Sequence, residues 1–132
     1  MKKGYKDNIE NLTTDNNNFR KVLYTGEHCQ LVLMSLLPNE DIGMEVHNDN
    51  DQFFRFEKGT GKVIINDTEY DVADGDAVVV PSGANHNVIA GSDGLKLYTI
   101  YSPAHHQDGV VRATKAEAEA NGPEFDGVTT EQ

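Results

Sequence analysis

Apolar and polar residues alternate along this chain in short runs, broken about every eight to twelve residues by Gly, Pro, Asn or Asp, which is the pattern of a β-sandwich or barrel. The most apolar run, residues 28–37, is hydrophobic on both faces: Leu31, Leu33 and Leu37 alternate with Val32, Met34 and Leu36. It predicts a central strand. A shorter strand precedes it at 19–25, ended by Gly26, and Pro38 opens a turn before the next strand at 42–47. In 52–57, Phe54 and Phe56 share the face of Gln52, while Phe53 and Arg55 take the other. Residues 58–61 predict a turn. Residues 62–66 and 68–72 predict a hairpin about Asn66 and Asp67. A turn at 73–76 leads to a short buried strand at 77–80, stopped by Pro81. Two last strands follow at 86–90 and 95–101, parted by 91–94.

Outside 19–103 the pattern changes. Residues 1–18 are polar and predict an arm with little regular structure. Residues 104–132 form an extension whose segment 114–120 is rich in Ala and Glu. Thr114 and Glu117 have the spacing of a capping box, so a short helix is expected there, with frayed residues at 124–132.

The chain has 132 residues, enough for one domain. Its 22 acidic and 11 basic residues give a net charge of −11, which disfavours nucleic acid and anionic membrane surfaces. The one cysteine, Cys29, excludes an intrachain disulfide and is expected to be a buried strand residue, with His28 on the opposite face. The N-terminal stretch is charged and lacks an apolar core, so no signal peptide is expected. No apolar run approaches the ~18 residues of a membrane span. A soluble, cytoplasmic protein is the expectation.

Candidate chemistry concentrates at Glu45-Val46-His47. Residues two apart on a strand point to one face, so Glu45 and His47 converge. Gln52 follows a polar turn, and His86 closes the tight turn Pro81-Ser82-Gly83-Ala84-Asn85-His86. All four residue types ligate metals, and polar groups facing an apolar interior require a partner. The alternatives are a surface glutamate on a strand edge at Glu45 and satisfied core histidines at His47 and His86, and the uncharged amide of Gln52 is the poorest metal donor of the four. His28 is expected to be structural or exposed. His105 and His106 are expected on a surface loop, or folded over a barrel mouth.

These residues resemble the two motifs of the cupin superfamily. Gly75, Pro81, Gly83 and His86 match the second motif, G-x5-P-x-G-x2-H-x3-N, with Ala90 in place of the final Asn. The first motif, G-x5-H-x-H-x3-4-E-x6-G, is degenerate here. His47 and Gly59 are kept, Glu45 stands at the first His, Gln52 at the Glu, and Asn39 at the first Gly. The resemblance implies a jelly-roll barrel (a double-stranded β-helix), all-β apart from the C-terminal helix. It also implies one divalent metal ion (Zn, Mn, Fe or Ni) held by Glu45, His47, Gln52 and His86, and a homodimer. The usual three His and one Glu carry one negative charge, and the set found here carries one as well. Residues 40–47, 51–55 and 98–103 are further similar to small single-domain bacterial cupins labelled mannose-6-phosphate-isomerase-like. The implied partner is a small molecule. Three functions are open: a metal-dependent, isomerase-type enzyme on a carbohydrate-like substrate, an Fe(II) or Ni(II) dioxygenase, or a binding protein without chemistry. Phe54, Phe56, Tyr98 and Tyr101 are the expected pocket residues, with Met44 and Val88 as further apolar lining. Tyr98, Tyr101 or His105 could move protons. Arg55 is the one cation assignable near the site and faces away from Gln52, which weakens a phosphosugar substrate.

Overall fold

Two long antiparallel strands set the architecture of the computed structural model, which describes residues 1–132. These are β4 (Asp51–Ile65) and β7 (Asn85–Ser102), and each changes neighbours halfway. The first half of β4 pairs with β6 (Ala77–Val80), the second with β5 (Thr68–Val72). The start of β7 pairs with β3 (Glu45–Val46), and its later part pairs with β2 (Gln30–Leu36). Beyond β2 lie β1 (Arg20–Thr25) and β8 (Val111–Arg112). The long strands therefore belong to two sheets, β5-β4-β7-β3 and β6-β4-β7-β2-β1-β8, and the fold is a jelly-roll barrel.

The long strands bend where glycines cross. The register of β4 slips between Phe56 and Lys58 and again between Gly59 and Gly61. Gly59 has φ 97°, and a Cβ there would lie 2.2 Å from the Gly94 carbonyl oxygen. The turns expected at 58–61 and 91–94 are thus bulged bends inside continuous strands. Glycine signals a break in both cases. Here the break turns the strand from one sheet into the other without ending its ladder.

Inward-facing residues fill the space between the sheets. Phe54, Phe56 and Val63 from β4 meet Val88, Leu95 and Leu97 from β7, and Val32, Met34 and Leu36 from β2. Full burial of each large side chain contributes about 1.5–3 kcal/mol.

Several expectations are corrected. The arm at 1–18 contains a helix, α1 (Ile9–Asp15), capped by the Asn8 side chain, with Thr13 buried beneath it. Strand β6 is an edge strand, not a buried one: its outward Val79 is 62% exposed. The strand expected at 42–47 shortens to two residues, since Gly43 has φ 88° and Met44 is turned out to solvent. Cys29 is exposed because it lies just before β2, outside the paired region. Residues 124–132 are not frayed. Phe125 donates to the His105 carbonyl, Thr130 to the Thr25 carbonyl, and the Glu131 carboxylate accepts from Tyr24 and from the backbone of Lys3 and Gly4. The helix α2 (Lys115–Ala120) forms with its capping box: the Thr114 hydroxyl accepts from the Glu117 amide, and the Glu117 carboxylate accepts from Ala113. No helix is long and apolar enough to cross a membrane.

Candidate metal centre

Strand β3 lies along the start of β7 with Glu45 directly opposite His86, so both side chains enter the barrel on one face. His47 joins them two residues on, and its carbonyl accepts from Gly83, tying it to the turn that delivers His86. The ligating atoms of Glu45, His47 and His86 lie within 4.8 Å of one another. His47 Nε2 donates to Glu45 Oε2 at 2.9 Å. Loss of that proton would leave a lone pair and a carboxylate oxygen side by side, able to share a cation.

The residues fit a metal ion on a second ground. His86 Nδ1 donates to the Ala84 carbonyl at 3.1 Å, which fixes the tautomer and turns the Nε2 lone pair inward. That Nε2 is buried with no hydrogen-bond partner. Gln52 repeats the arrangement: its amide nitrogen donates to Thr99 Oγ1 at 3.0 Å, and its Oε1 is buried and unpartnered. An unsatisfied buried acceptor costs about 1–3 kcal/mol, and two acceptors in one barrel are suited to a cation.

The electrostatics keep the donors in their ligating forms. Burial opposes the charge of Glu45. The hydrogen bond from His47 and the charge of Arg20 counter that effect, and the carboxyl lies below the ordinary value. Burial, aided by His47, pushes the His86 imidazole down, so it is neutral with a free lone pair near pH 7. Burial also raises the Tyr101 hydroxyl, which stays protonated and donates to His106 Nε2 at 3.2 Å.

Of the two places expected for His105 and His106, a surface loop or the barrel mouth, the structure shows the mouth. The His105 ring lies 4.3 Å from that of His47 and stacks on Tyr101, while His106 is 6% exposed. Two buried amides hold them over the mouth. Gln30 accepts from the backbone N–H groups of both and donates to the His106 carbonyl, and Asn50 donates to the carbonyls of Pro103 and Ala104. Arg20, 8% exposed, lies within Coulombic reach of Glu45, His105 and His106. The sequence holds a signal for Gln30, a polar residue at an inward position of the most apolar strand. Nothing local marks Arg20.

Of the expected pocket residues, Tyr101 pairs with Gln52 and lies 5.7 Å from the His47 ring. Phe54 lies 6.3 Å from His86, and Phe56 is stacked on Phe54 further in. Tyr98 does not line the interior: it pairs with Arg55 and packs on Phe53, on the outer face. Parity along β7 separates it from Tyr101. Met44 points to solvent and Val88 belongs to the core.

The Cupin domain family matches residues 32–101. The chain is 48% identical over 120 residues to the uncharacterized protein YrkC of Bacillus subtilis, across 86% of this chain. It spans 64% of the length of YrkC. It is 43% identical to the uncharacterized protein L612 of Acanthamoeba polyphaga mimivirus, over 89% of this chain and 77% of that protein. The crystal structure of BH2720 from Bacillus halodurans superposes with a TM-score of 0.88 at 41% identity, covering 90% of this chain and 96% of the other.

Proposed function

We propose that this chain, which belongs to the cupin domain family, holds one divalent metal ion on Glu45, His47 and His86, with Gln52 as a weaker fourth ligand, and acts in an isomerase-type reaction on a small carbohydrate-like molecule. The observation that carries this reading is the buried, partnerless Nε2 of His86 beside the Glu45–His47 pair. A bound divalent ion supplies Lewis acidity toward a carbonyl or hydroxyl. The chain's own groups do the rest. His105, pushed down by burial, is a neutral base at the mouth, and the Tyr101–His106 pair holds a proton that neither group readily loses. The rings of Tyr101 and His105 stack with centroids 5.4 Å apart and form the wall on that side. The likeness of residues 40–47, 51–55 and 98–103 to the mannose-6-phosphate-isomerase-like grouping supports this reading, and a homodimer belongs to it.

A dioxygenase is the second reading, favoured by the two-His, one-carboxylate set and by Phe54 beside His86. Elemental analysis of protein purified without added metal, next to His47→Ala and His86→Ala, tests both. Near-stoichiometric metal in the wild type and its loss in each variant are expected. Iron with oxygen uptake would select the dioxygenase, and zinc or manganese with sugar isomerisation the first reading. A wild type that stays metal-free after loading would remove the centre and leave a small-molecule binding barrel.

A further inference from the structure

We propose that Arg20 anchors the carboxylate of a small sugar acid in a cavity beside Glu45, which makes the substrate an anion. The inference deepens the reading above and rests on it only for what the hydroxylated end of the molecule meets. The cavity measures about 180 Å³ and is walled by Phe19, Arg20, Ile42, Glu45, His106 and Lys115. That is room for about six waters at ~30 Å³ each, or for the acid end of a small organic molecule. Glu45 is also a member of the triad, so the cavity and the centre share a wall.

Arg20 is the group that calls for an anion there. It is 8% exposed, and its Nε is buried without a hydrogen-bond partner. Its guanidinium carbon lies 5.5 Å from the Phe19 ring centre. Guanidinium cannot shed its charge, so a buried N–H of this kind is costly until an oxyanion accepts from it. Glu45 does not do so: no oxygen of its carboxylate lies within hydrogen-bond or ion-pair distance of Arg20, and its one side-chain partner is His47. Lys115, the other cation of the cavity, is already paired with Asp41 and lies 3.8 Å from Glu119. One cation is therefore left to meet the ligand, between the carboxylates of Glu45 and Glu119. A phosphate dianion would bring two charges against that single cation and meet repulsion from both acids. A carboxylate brings one charge, and its two oxygens match the guanidinium fork.

Calorimetric titration of the metal-free and zinc-loaded protein with D-gluconate, its uncharged counterpart D-glucitol, and glucitol 6-phosphate tests the proposal. Gluconate is expected to bind about ten- to hundredfold more tightly than glucitol in both forms, the margin of a charge-assisted hydrogen bond. Arg20→Gln should erase that preference at unchanged zinc content, and Arg20→Lys should keep part of it. In the wild type, gluconate should shift the Arg20 Nε–H nuclear magnetic resonance downfield, a measurement that does not depend on a variant folding. Equal binding of gluconate and glucitol, an unmoved Arg20 resonance, or preference for the phosphate ester would overturn it. A protein that takes up no zinc yet prefers gluconate would support the anion site while removing the metal centre.

Discussion

A histidine buried beside an arginine is a base that folding keeps neutral. Burial, with Arg20, His105 and His47, pushes His106 down to about 2. In the unfolded chain the same imidazole takes a proton near pH 6.5. Between these values the unfolded state binds a proton that the folded state refuses. The stability is therefore complete above about pH 6.5 and falls with pH below it, by up to about 1.4 kcal/mol per unit. His86 and His105 are shifted in the same direction and add to the slope. The denaturation midpoint of chelator-treated protein should drop between pH 7 and pH 5, with a shallower drop in His106→Gln. Identical profiles for the two would refute this account of His106. Glu45, His47 and His86 were legible in the sequence because strand parity and a turn motif aim them. His106 was not, since the Gln30 that holds it is 76 residues away along the chain.

Among the elements, the glycine crossing decides whether two sheets can share two strands. A side chain at Gly59 meets both a positive φ and the Gly94 carbonyl at 2.2 Å. Gly43 has a similar φ of 88° with nothing within 4 Å. The pair separates backbone strain from steric conflict. Gly43→Ala should cost about 1 kcal/mol and Gly59→Ala about 2–4 kcal/mol, read from chemical unfolding. Equal losses would mean that the crossing tolerates bulk. Alternation along the sequence identified which face of each strand is buried, as for Phe54 against Phe53. It could not show that 52–57 and 62–66 are one strand, because a bulge and a turn draw on the same residues. The continuity is fixed by pairing with β7, which is a long-range property.

For the molecule as a whole, the outer face of the larger sheet is the surface most suited to the proposed homodimer. Leu31, Phe53, Val79 and Ile100 are neighbours there in register, and Val79 is largely exposed. Each copy carries a charge of −11, so association should strengthen with salt as repulsion is screened. Light scattering should give a dimer for the wild type and a monomer for Val79→Lys. A wild-type monomer at tens of micromolar, about the usual working range for such interfaces, would end the dimer proposal. The barrel class was visible from the strand pattern. Closure of its mouth by His105 and His106 was one of two expectations, but its anchoring by 124–131 was not visible, because polar residues there give no periodic signal and take their places only against distant segments, 104–106 among them. That closure also orders events during synthesis. Glu45 and His47 leave the ribosome long before His105 and His106, and the residues bonded to the histidine loop, Pro123 to Gln107 and Phe125 to His105, come later still. A nascent chain thus owns its ligands before it owns the walls around them, and the mouth can close only after the ligands are in place.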